Sequence, residues 1–221
     1  MKNIISALII ITFVVSCNED QNKLEKEEVQ IVEVKDSNDT WKAINTNEAL
    51  IATALMAAPK ENRDGCKVIG YNVDGEFVTL KEGTNELICL AEDLNKEGFS
   101  AACYHESLEP FMARGRELKI RGKNHQEIFD IREQEVKSGK LEMGKPGATL
   151  HIYFGNDTIY NPETGVVKDA IYRYVVYLPW ATSESTGLPE KPKGSNHPWI
   201  MNPGTHKAHI MISPLPDVEI E

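Results

Sequence analysis

The sequence predicts an α+β fold: a single domain over residues 40–216, built on a mostly antiparallel sheet. Strand-like segments come first, two helical segments follow, and strand-like segments then return. This order lacks the regular alternation of strands and helices that produces a parallel sheet. The chain has 221 residues, of which 41% are hydrophobic and 26% charged, an ordinary balance for one globular domain.

The first half of the domain is predicted to contain one helix and a four-stranded β-meander. Asn45 or Thr46 can cap a helix whose apolar residues recur at helical spacing until Pro59 ends the pattern. Asp74-Gly75 is a two-residue turn that accepts positive φ, so the segments on either side of it predict a β-hairpin. Two further strand patterns complete the meander. The four patterns cover residues 67–73, 76–80, 86–91 and 99–104.

An αα-hairpin is predicted next, and strands follow it. Ser107 can cap a first helix, which Gly122-Lys123 interrupts. Residues 124–127 have the spacing of a capping box, which predicts a second helix that runs to Gly139. Because the two helices are joined by so short a turn, they should pack as a hairpin. Strand patterns then return at residues 148–154, 171–178 and 208–213.

A Pro- and Gly-rich stretch between Trp180 and Lys207 interrupts these last strands. Structureless segments longer than about 12–15 residues are uncommon in compact domains and are usually functional or disordered. The aromatic residues Trp180 and Trp199 favour a packed loop over a disordered one. We therefore expect this loop to carry a ligand-binding groove, with both indole rings in the groove or at its rim.

The N-terminus predicts a membrane anchor. Lys2 precedes an apolar run, Ile4 to Val15, that is shorter than the roughly 20 residues of a membrane-spanning helix and is typical of a signal-peptide core. The run ends in Val14-Val15-Ser16-Cys17, which resembles the bacterial lipoprotein signal. That resemblance implies a signal peptide over residues 1–16 and lipidation of Cys17, which would hold the mature chain on the membrane.

The segment after Cys17 is predicted to be an acidic tether over residues 17–39, and residues 217–221 a short tail. Asn18-Glu19-Asp20 resembles the acidic export tag of surface lipoproteins. The expected location is the cell envelope, as an outer-membrane lipoprotein that faces the periplasm or the surface.

Charge and missing motifs exclude several function classes. The chain carries 24 Lys and Arg against 34 Asp and Glu, a net charge of −10, so it should repel nucleic acid. A single apolar run excludes a polytopic channel or transporter. The glycine-rich phosphate loops, the zinc-protease motif HExxH, the CxxC motif and the GxSxG serine motif are missing from the sequence.

Three cysteines lie beyond Cys17, and an oxidising envelope would allow one disulfide among them. Cys89 and Cys103 fall in neighbouring predicted strands, which favours that pair. Cys66 would then remain as a buried thiol.

Three histidines are candidate metal ligands and general bases: His105, His206 and His209. With a carboxylate from Glu106 or Glu184, they would form a metal-assisted or general-base hydrolase that uses a divalent transition metal. This catalytic function is the alternative to a binding function.

Structural interpretations compete with the catalytic one at the same residues. Pro110 must occupy a first helical turn, so His105 would lie outside the helix and cap or pack at the strand–helix junction. In the strand 208–213, His209 would lie on the face opposite the apolar core residues. Glu184 lies in a run of hydroxyl residues that is typical of a turn or a helix cap.

A basic patch extends from Arg114 to Lys123. Arg114 could bind an anionic ligand or a lipid head group. Acidic residues at helical spacing offer ion pairs instead, which would make the patch a solvated helix face.

Three segments, residues 103–118, 185–189 and 203–212, resemble an uncharacterised group of exported bacterial proteins. The resemblance covers most of residues 46–213 and implies one folded domain, but it brings no activity or cofactor with it. The sequence therefore favours a lipid-anchored ligand-binding or envelope-maintenance module over the hydrolase, with the envelope ligand unidentified.

Overall fold

The computed structural model describes residues 40–214. The predicted signal peptide, Cys17, the tether and the C-terminal tail lie outside the described residues. The described part confirms the α+β fold, with a mostly antiparallel eight-stranded sheet and a separate two-stranded sheet.

The large sheet has the strand order β3-β2-β4-β5-β6-β8-β10-β9, and β1 pairs with β7 in the small sheet. All neighbouring strands are antiparallel except β2 and β4, which are parallel. The strands are β1 (Lys42–Ala43), β2 (Lys67–Tyr71), β3 (Phe77–Lys81), β4 (Leu87–Leu90), β5 (Phe99–His105), β6 (Thr149–Gly155), β7 (Ile159–Tyr160), β8 (Ile171–Tyr177), β9 (Trp199–Met201) and β10 (His209–Ile212).

Helices flank the sheet. The α-helices are α1 (Asn47–Leu55), α2 (Glu109–Ile120), α3 (His125–Lys137) and α4 (Ser183–Thr186), and the 3₁₀ helices are Lys60–Gly65 and Glu106–Leu108. Within residues 40–214, no helix is both long enough and apolar enough to cross a membrane.

The predicted helix starts are confirmed by their capping hydrogen bonds. The Thr46 hydroxyl accepts from the Ala49 backbone N–H at 3.1 Å and begins α1. Asn124 and Glu127 form both bonds of the capping box that begins α3. Gly122, at a φ of 77°, lies in the four-residue turn between α2 and α3 and allows the αα-hairpin to close.

Alternating side chains divide the buried residues into two clusters, one on each face of the sheet. In β5, Phe99, Ala101 and Cys103 belong to the cluster that contains residues of α1. Tyr104 belongs to the cluster that contains Phe111 of α2. The sheet is therefore covered by α1 on one face and by α2 and α3 on the other.

The predicted β-meander is wrong in its third strand, because β4 pairs with β2 in parallel rather than with β3. The backbone N–H groups of Thr84 and Asn85 both bond to the Gly65 carbonyl, which holds the loop after β3 against the start of β2. A Cβ at Gly83 would overlap the backbone of Lys67, so only glycine permits this close passage. The chain thus passes the start of β2, and β4 joins the sheet on the side of β2 that is opposite β3.

The Pro- and Gly-rich stretch is more regular than the sequence indicates. It contains α4 and the edge strand β9, which pairs with β10. The predicted faces of β10 are reversed: His209 and Met211 are buried, whereas Ile210 and Ile212 are partly exposed. The reason is that Met211 packs in the cluster on the α2–α3 face, whereas the cluster on the α1 face contains no buried residue of β10.

Candidate functional site

The structure does not assemble the predicted three-histidine site. His105 ends β5 and His209 begins β10, and two strands lie between them in the sheet. With strands about 4.8 Å apart, the two backbones are separated by roughly 14 Å, too far for both imidazoles to bind one metal ion. Within residues 40–214, no histidine belongs to a group of three or more metal-ligating side chains close enough to share an ion.

His105 and His209 have structural roles instead. The Nδ1 atom of His105 accepts from the Ser107 backbone N–H at 3.2 Å and caps the 3₁₀ helix that leads into α2. The Nδ1 atom of His209 lies 2.7 Å from the Lys207 carbonyl oxygen, and its ring lies beside Tyr177. The prediction that the three histidines converge on one metal ion is therefore wrong, while a general-base hydrolase that uses one of them stays a prediction.

The two candidate catalytic carboxylates, Glu106 and Glu184, lie on different helical segments. Glu106 is exposed on the 3₁₀ helix before α2, and Glu184 is exposed on α4. The hydroxyl groups beside Glu184 cap α4: the Ser185 backbone N–H donates to the Thr182 hydroxyl at 3.1 Å. This confirms the interpretation of the segment as a helix cap.

Two carboxylates already bind Arg114, which favours the ion-pair interpretation of the basic patch, and its role in ligand binding stays a prediction. Its Nε donates to both carboxylate oxygens of Glu135, at 2.9 and 3.1 Å, and its Nη1 donates to Glu117 at 2.6 Å. These carboxylates raise the pKa of Arg114. Acidic neighbours also pair Arg116 and Lys123, as the solvated-face interpretation predicts.

The two tryptophans of the Pro- and Gly-rich stretch are accessible but lie outside the described cavities. Trp180 is 42% exposed, and the Lys137 ammonium lies 5.5 Å from its ring centroid. Trp199 is partly buried against the cluster on the α2–α3 face. Their part in ligand binding stays a prediction.

A cavity of about 330 Å³ lies between α3 and the turn that joins β9 to β10. We call it the α3 pocket. It is lined by His125, Gln126, Ile128, Phe129, Arg132, Asn202 and Lys207. Residues of one helical face and of one tight turn thus meet around a small space.

Arg132 is the exceptional residue of the α3 pocket. Its side chain is buried, with the residue only 8% exposed, and its guanidinium lies 3.8 Å from the centroid of the Phe111 ring. Its Nη1 donates to the Phe111 carbonyl at 3.2 Å, but its Nε has no hydrogen-bond partner. No carboxylate of the described residues lies within ion-pairing distance of it.

Two more basic groups lie close to Arg132. Burial, and then the nearby Arg132 charge, lower the pKa of Lys207. The same two causes lower the pKa of His206 to about 4, so its imidazole is neutral at pH 7. The His206 ring is fully buried between Phe111 and Phe129, and neither of its nitrogen atoms has a partner.

The turn after β9 fixes these groups in place. Asn202 adopts a φ of 51°, and its carbonyl accepts from the Thr205 hydroxyl at 2.8 Å. The Thr205 hydroxyl in turn accepts from the Lys207 backbone N–H at 3.2 Å. Lys207 is therefore held at the pocket by a turn with its own hydrogen bonds rather than by a flexible loop.

A larger cavity of about 510 Å³ between α2 and the β2–β3 hairpin lacks this imbalance of charge. It is more apolar, and four of its five charged residues form ion pairs: Asp93, Lys96, Arg116 and Glu117. The α3 pocket is thus the more polar candidate, and it alone contains the buried, unpaired Arg132.

Sequence reasoning missed Arg132 as a functional residue, although a signal was present. Ile128 and Arg132 are four residues apart and lie on the same buried side of α3. A charged residue on the apolar side of an amphipathic helix is rarely buried without a partner. The position of Arg132 in that pattern would have identified it.

Comparison with known proteins adds no identification. No protein-family model, curated protein or solved structure matches this chain.

Proposed function

We propose that the protein is a lipid-anchored cell-envelope protein that binds a small ligand through an oxyanion group, a phosphate or a carboxylate, in the α3 pocket. The binding function rests on the pocket, and the anchor rests on the sequence around Cys17. The proposal keeps the ligand-binding module that the sequence favours but places its site on α3.

The observation that carries the proposal is the buried, unpaired charge of Arg132. An arginine stays protonated at any physiological pH, so burial cannot neutralise it by removing a proton. A buried charge without a partner is costly, and a bound oxyanion would offset that cost. The planar guanidinium also presents paired donors that match a carboxylate or a phosphate.

The other lining residues support an anionic ligand. Lys207 adds a second cation and Asn202 adds an amide donor, while the amide of Gln126 donates to Asp130 at 2.8 Å and has one further N–H. His125 and Gln126 occupy the first turn of α3, where backbone N–H groups favour negative charge. None of the seven lining residues in the described chain carries a carboxylate or a hydroxyl group, so the pocket offers donors rather than a nucleophile.

Size and overall charge restrict the ligand class. A volume of about 330 Å³ is at the lower end of the range for small-molecule pockets. The net charge of −10 opposes the approach of a long polyanion such as nucleic acid. A small phosphorylated or carboxylated compound of the envelope fits both constraints.

The proposal places the folded domain in an oxidising compartment. Lipidated Cys17 would attach the chain to the outer membrane, with the domain facing the periplasm or the cell surface. Cys89 and Cys103 lie at disulfide-bonding distance, and in that compartment we propose that they form a disulfide.

Ligand binding is tested by thermal unfolding of the detergent-solubilised full chain with inorganic phosphate or with malonate. A ligand at 100 times its Kd stabilises a protein by about 2.7 kcal/mol, so Tm should rise with the concentration of the preferred anion. Phosphate also stabilises proteins by exclusion from their surface. The relevant quantity is therefore the difference between variants.

Arg132→Gln should abolish the anion-dependent rise, and Lys207→Gln should weaken it. Lys140→Gln is the matched control, because it removes one positive charge from an exposed residue just after α3. If Arg132→Gln does not fold, the anion-dependent rise in Tm is compared between Lys207→Gln and Lys140→Gln instead. Equal responses of the pocket variants and the control would contradict the proposal.

The anchor is tested separately, by mass spectrometry of the protein purified from bacterial membranes. We expect an N-terminal peptide that begins at acylated Cys17, and we expect Cys17→Ser to leave the signal sequence uncleaved. An unmodified Cys17 in the membrane fraction would overturn the anchor without affecting the pocket.

A further inference from the structure

A second cluster of reactive side chains lies on the opposite face of the sheet. The sulfur atoms of Cys66, Cys89 and Cys103 lie within 4.8 Å of one another. All three residues are fully buried, at 0% exposure. This is the one group of three or more metal-ligating side chains that the described residues bring together.

The fold brings the three sulfurs together from three separate segments. Cys89 and Cys103 are directly opposite each other on the antiparallel strands β4 and β5, with their Cα atoms 3.9 Å apart. Cys66 comes from the end of the 3₁₀ helix that precedes β2. The crossing loop that makes β4 parallel to β2 thus also brings Cys66 beside the pair.

Polar groups of the backbone hold Cys66 in its place. Its thiol donates to the Asn62 carbonyl at 3.2 Å, and the Asn85 side-chain amide donates to the same carbonyl at 2.8 Å. Cys66 is thus fully buried and fixed beside the cysteine pair.

We propose that, when the Cys89–Cys103 pair is reduced, Cys66, Cys89 and Cys103 form a three-sulfur site for copper(I). Metal–sulfur bonds of about 2.3 Å place three sulfurs around one ion roughly 4 Å apart. Reduction must therefore first separate the Cys89 and Cys103 sulfurs from bonding distance, while all three sulfurs already lie within 4.8 Å of one another. Thiolates are soft ligands and select soft ions such as copper(I).

The number of ligands distinguishes copper(I) from zinc. Structural zinc sites are almost always four-coordinate. No fourth His, Cys, Asp or Glu of residues 40–214 lies close enough to complete such a site. Two cations near the cluster, Lys81 and Arg63, offset part of the thiolate charge. Lys81 lies close, because its ammonium donates to the Cys66 carbonyl at 2.9 Å.

Oxidation and metal binding exclude each other at this site. A dithiol reductant would supply two electrons and two protons, become a disulfide itself, and leave Cys89 and Cys103 as thiols. Copper(I) then displaces the thiol protons as the sulfur–metal bonds form, and no electron is transferred in that step. Copper(I) would therefore occupy the site only in chains in which Cys89 and Cys103 are reduced.

The test is a copper(I) titration of the full chain carrying Cys17→Ser, which removes the remaining thiol. The protein is reduced with a phosphine, freed of it under argon, and titrated against the chelator bicinchoninate. We expect one copper(I) per chain in the reduced protein and none after oxidation. X-ray absorption should report sulfur ligands alone.

Cys66→Ser is the decisive variant, because it keeps the size of the side chain and leaves the Cys89–Cys103 pair intact. We expect it to weaken copper(I) binding by about 100-fold, since one of three thiolate ligands is lost. Its unreduced Tm reports whether it folds, and Cys66→Ala replaces it if not. Equal affinity of the variant and the parent, or stronger retention of zinc than of copper(I), would overturn the proposal.

Discussion

The two faces of the sheet differ in the hydrogen bonding of their buried polar groups. One face packs against α1, and the other packs against α2 and α3. Behind α1, the Tyr153 hydroxyl donates to the Val167 carbonyl and accepts from the Val167 N–H. The Thr53 hydroxyl, on α1 itself, bonds to the Ala49 carbonyl at 2.8 Å. On the other face, Arg132 and His206 keep buried nitrogen atoms without partners.

We propose that this difference separates a structural face from a binding face. Buried polar groups are almost always hydrogen-bonded, and the exceptions call for an explanation. On the α1 face the bonds are complete within the chain, so these groups serve stability. On the α2–α3 face, Arg132 lines the α3 pocket, and we propose that a ligand bound there supplies its missing partner.

The largest expected effect concerns the α1 face and its cysteine pair. Changing both Cys89 and Cys103 to Ala should lower the free energy of unfolding by about 3 kcal/mol, as expected for a loop of about 15 residues. Urea unfolding measures this loss. A reductant should lower the free energy of unfolding of the parent protein by a similar amount. An unchanged unfolding midpoint would show that the pair does not stabilise this face through a disulfide.

His206 should give the next largest effect, and it belongs to the binding face. Its pKa is about 4 in the folded state, against about 6.5 when unfolded. The unfolded chain therefore takes up a proton first, so the stability contributed by neutral His206 is complete above pH 6.5 and is lost as the pH falls toward 4. The expected loss is roughly 2 to 3 kcal/mol.

The measurement is urea unfolding of the parent and of His206→Leu at several pH values between 4 and 7. The variant should lose less stability across this window, because leucine does not titrate. Parallel curves for the two proteins would refute the assignment of the pH dependence to His206.

Glu92 sharpens the comparison, because it is a buried carboxyl group outside the α3 pocket. Burial raises its pKa to about 7, and its Oε2 has no partner. Here the folded state holds the proton more tightly, so stability falls as the pH rises from about 4.5 to 7. Glu92→Gln should therefore stabilise the protein at pH 8 by about 2 kcal/mol and have little effect at pH 4.

Differential scanning calorimetry at these two pH values checks the prediction for Glu92. A gain at pH 4 equal to that at pH 8 would show a packing effect rather than titration. The contrast with Arg132 is physical: a buried carboxyl group can become neutral by protonation, whereas a guanidinium keeps its charge and needs an anion.

Arg114 should give the smallest effect and serves as the counterpart of Arg132 on the same helix pair. Its partners Glu117 and Glu135 are partly exposed, so Arg114→Gln should cost about 1 kcal/mol or less. Phosphate binding should stay unchanged in isothermal titration calorimetry. A loss of binding as large as that of Arg132→Gln would move the site to the outer face of α2.

The parts of the fold that local rules control were predictable from the sequence. Thr46 and Asn124 mark helix starts, and Gly75 marks the hairpin turn, because caps and turns depend on neighbouring residues. The parallel pairing of β2 and β4 was not predictable in this way. It depends on bonds from Thr84 and Asn85 to the distant Gly65 carbonyl.

The candidate site was less predictable for the same reason. Strand alternation placed His209 on one side of β10 but could not decide which side was buried, because both sides of the strand carry apolar residues. The sequence drew attention to His206 but not to Arg132, which lies 74 positions earlier in the chain. Only the packing of α3 against the β9–β10 turn brings the two together.

The most direct test of the binding face is the Nε–H signal of Arg132 in a ¹H–¹⁵N NMR spectrum, assigned by its loss in Arg132→Lys. The Arg114 Nε–H is an internal control, because it already donates to Glu135 at 2.9 Å. As phosphate or malonate is added, the Arg132 signal should shift and saturate while the Arg114 signal stays in place. An Arg132 signal that does not move with either anion, or that only drifts together with that of Arg114, would contradict the oxyanion site.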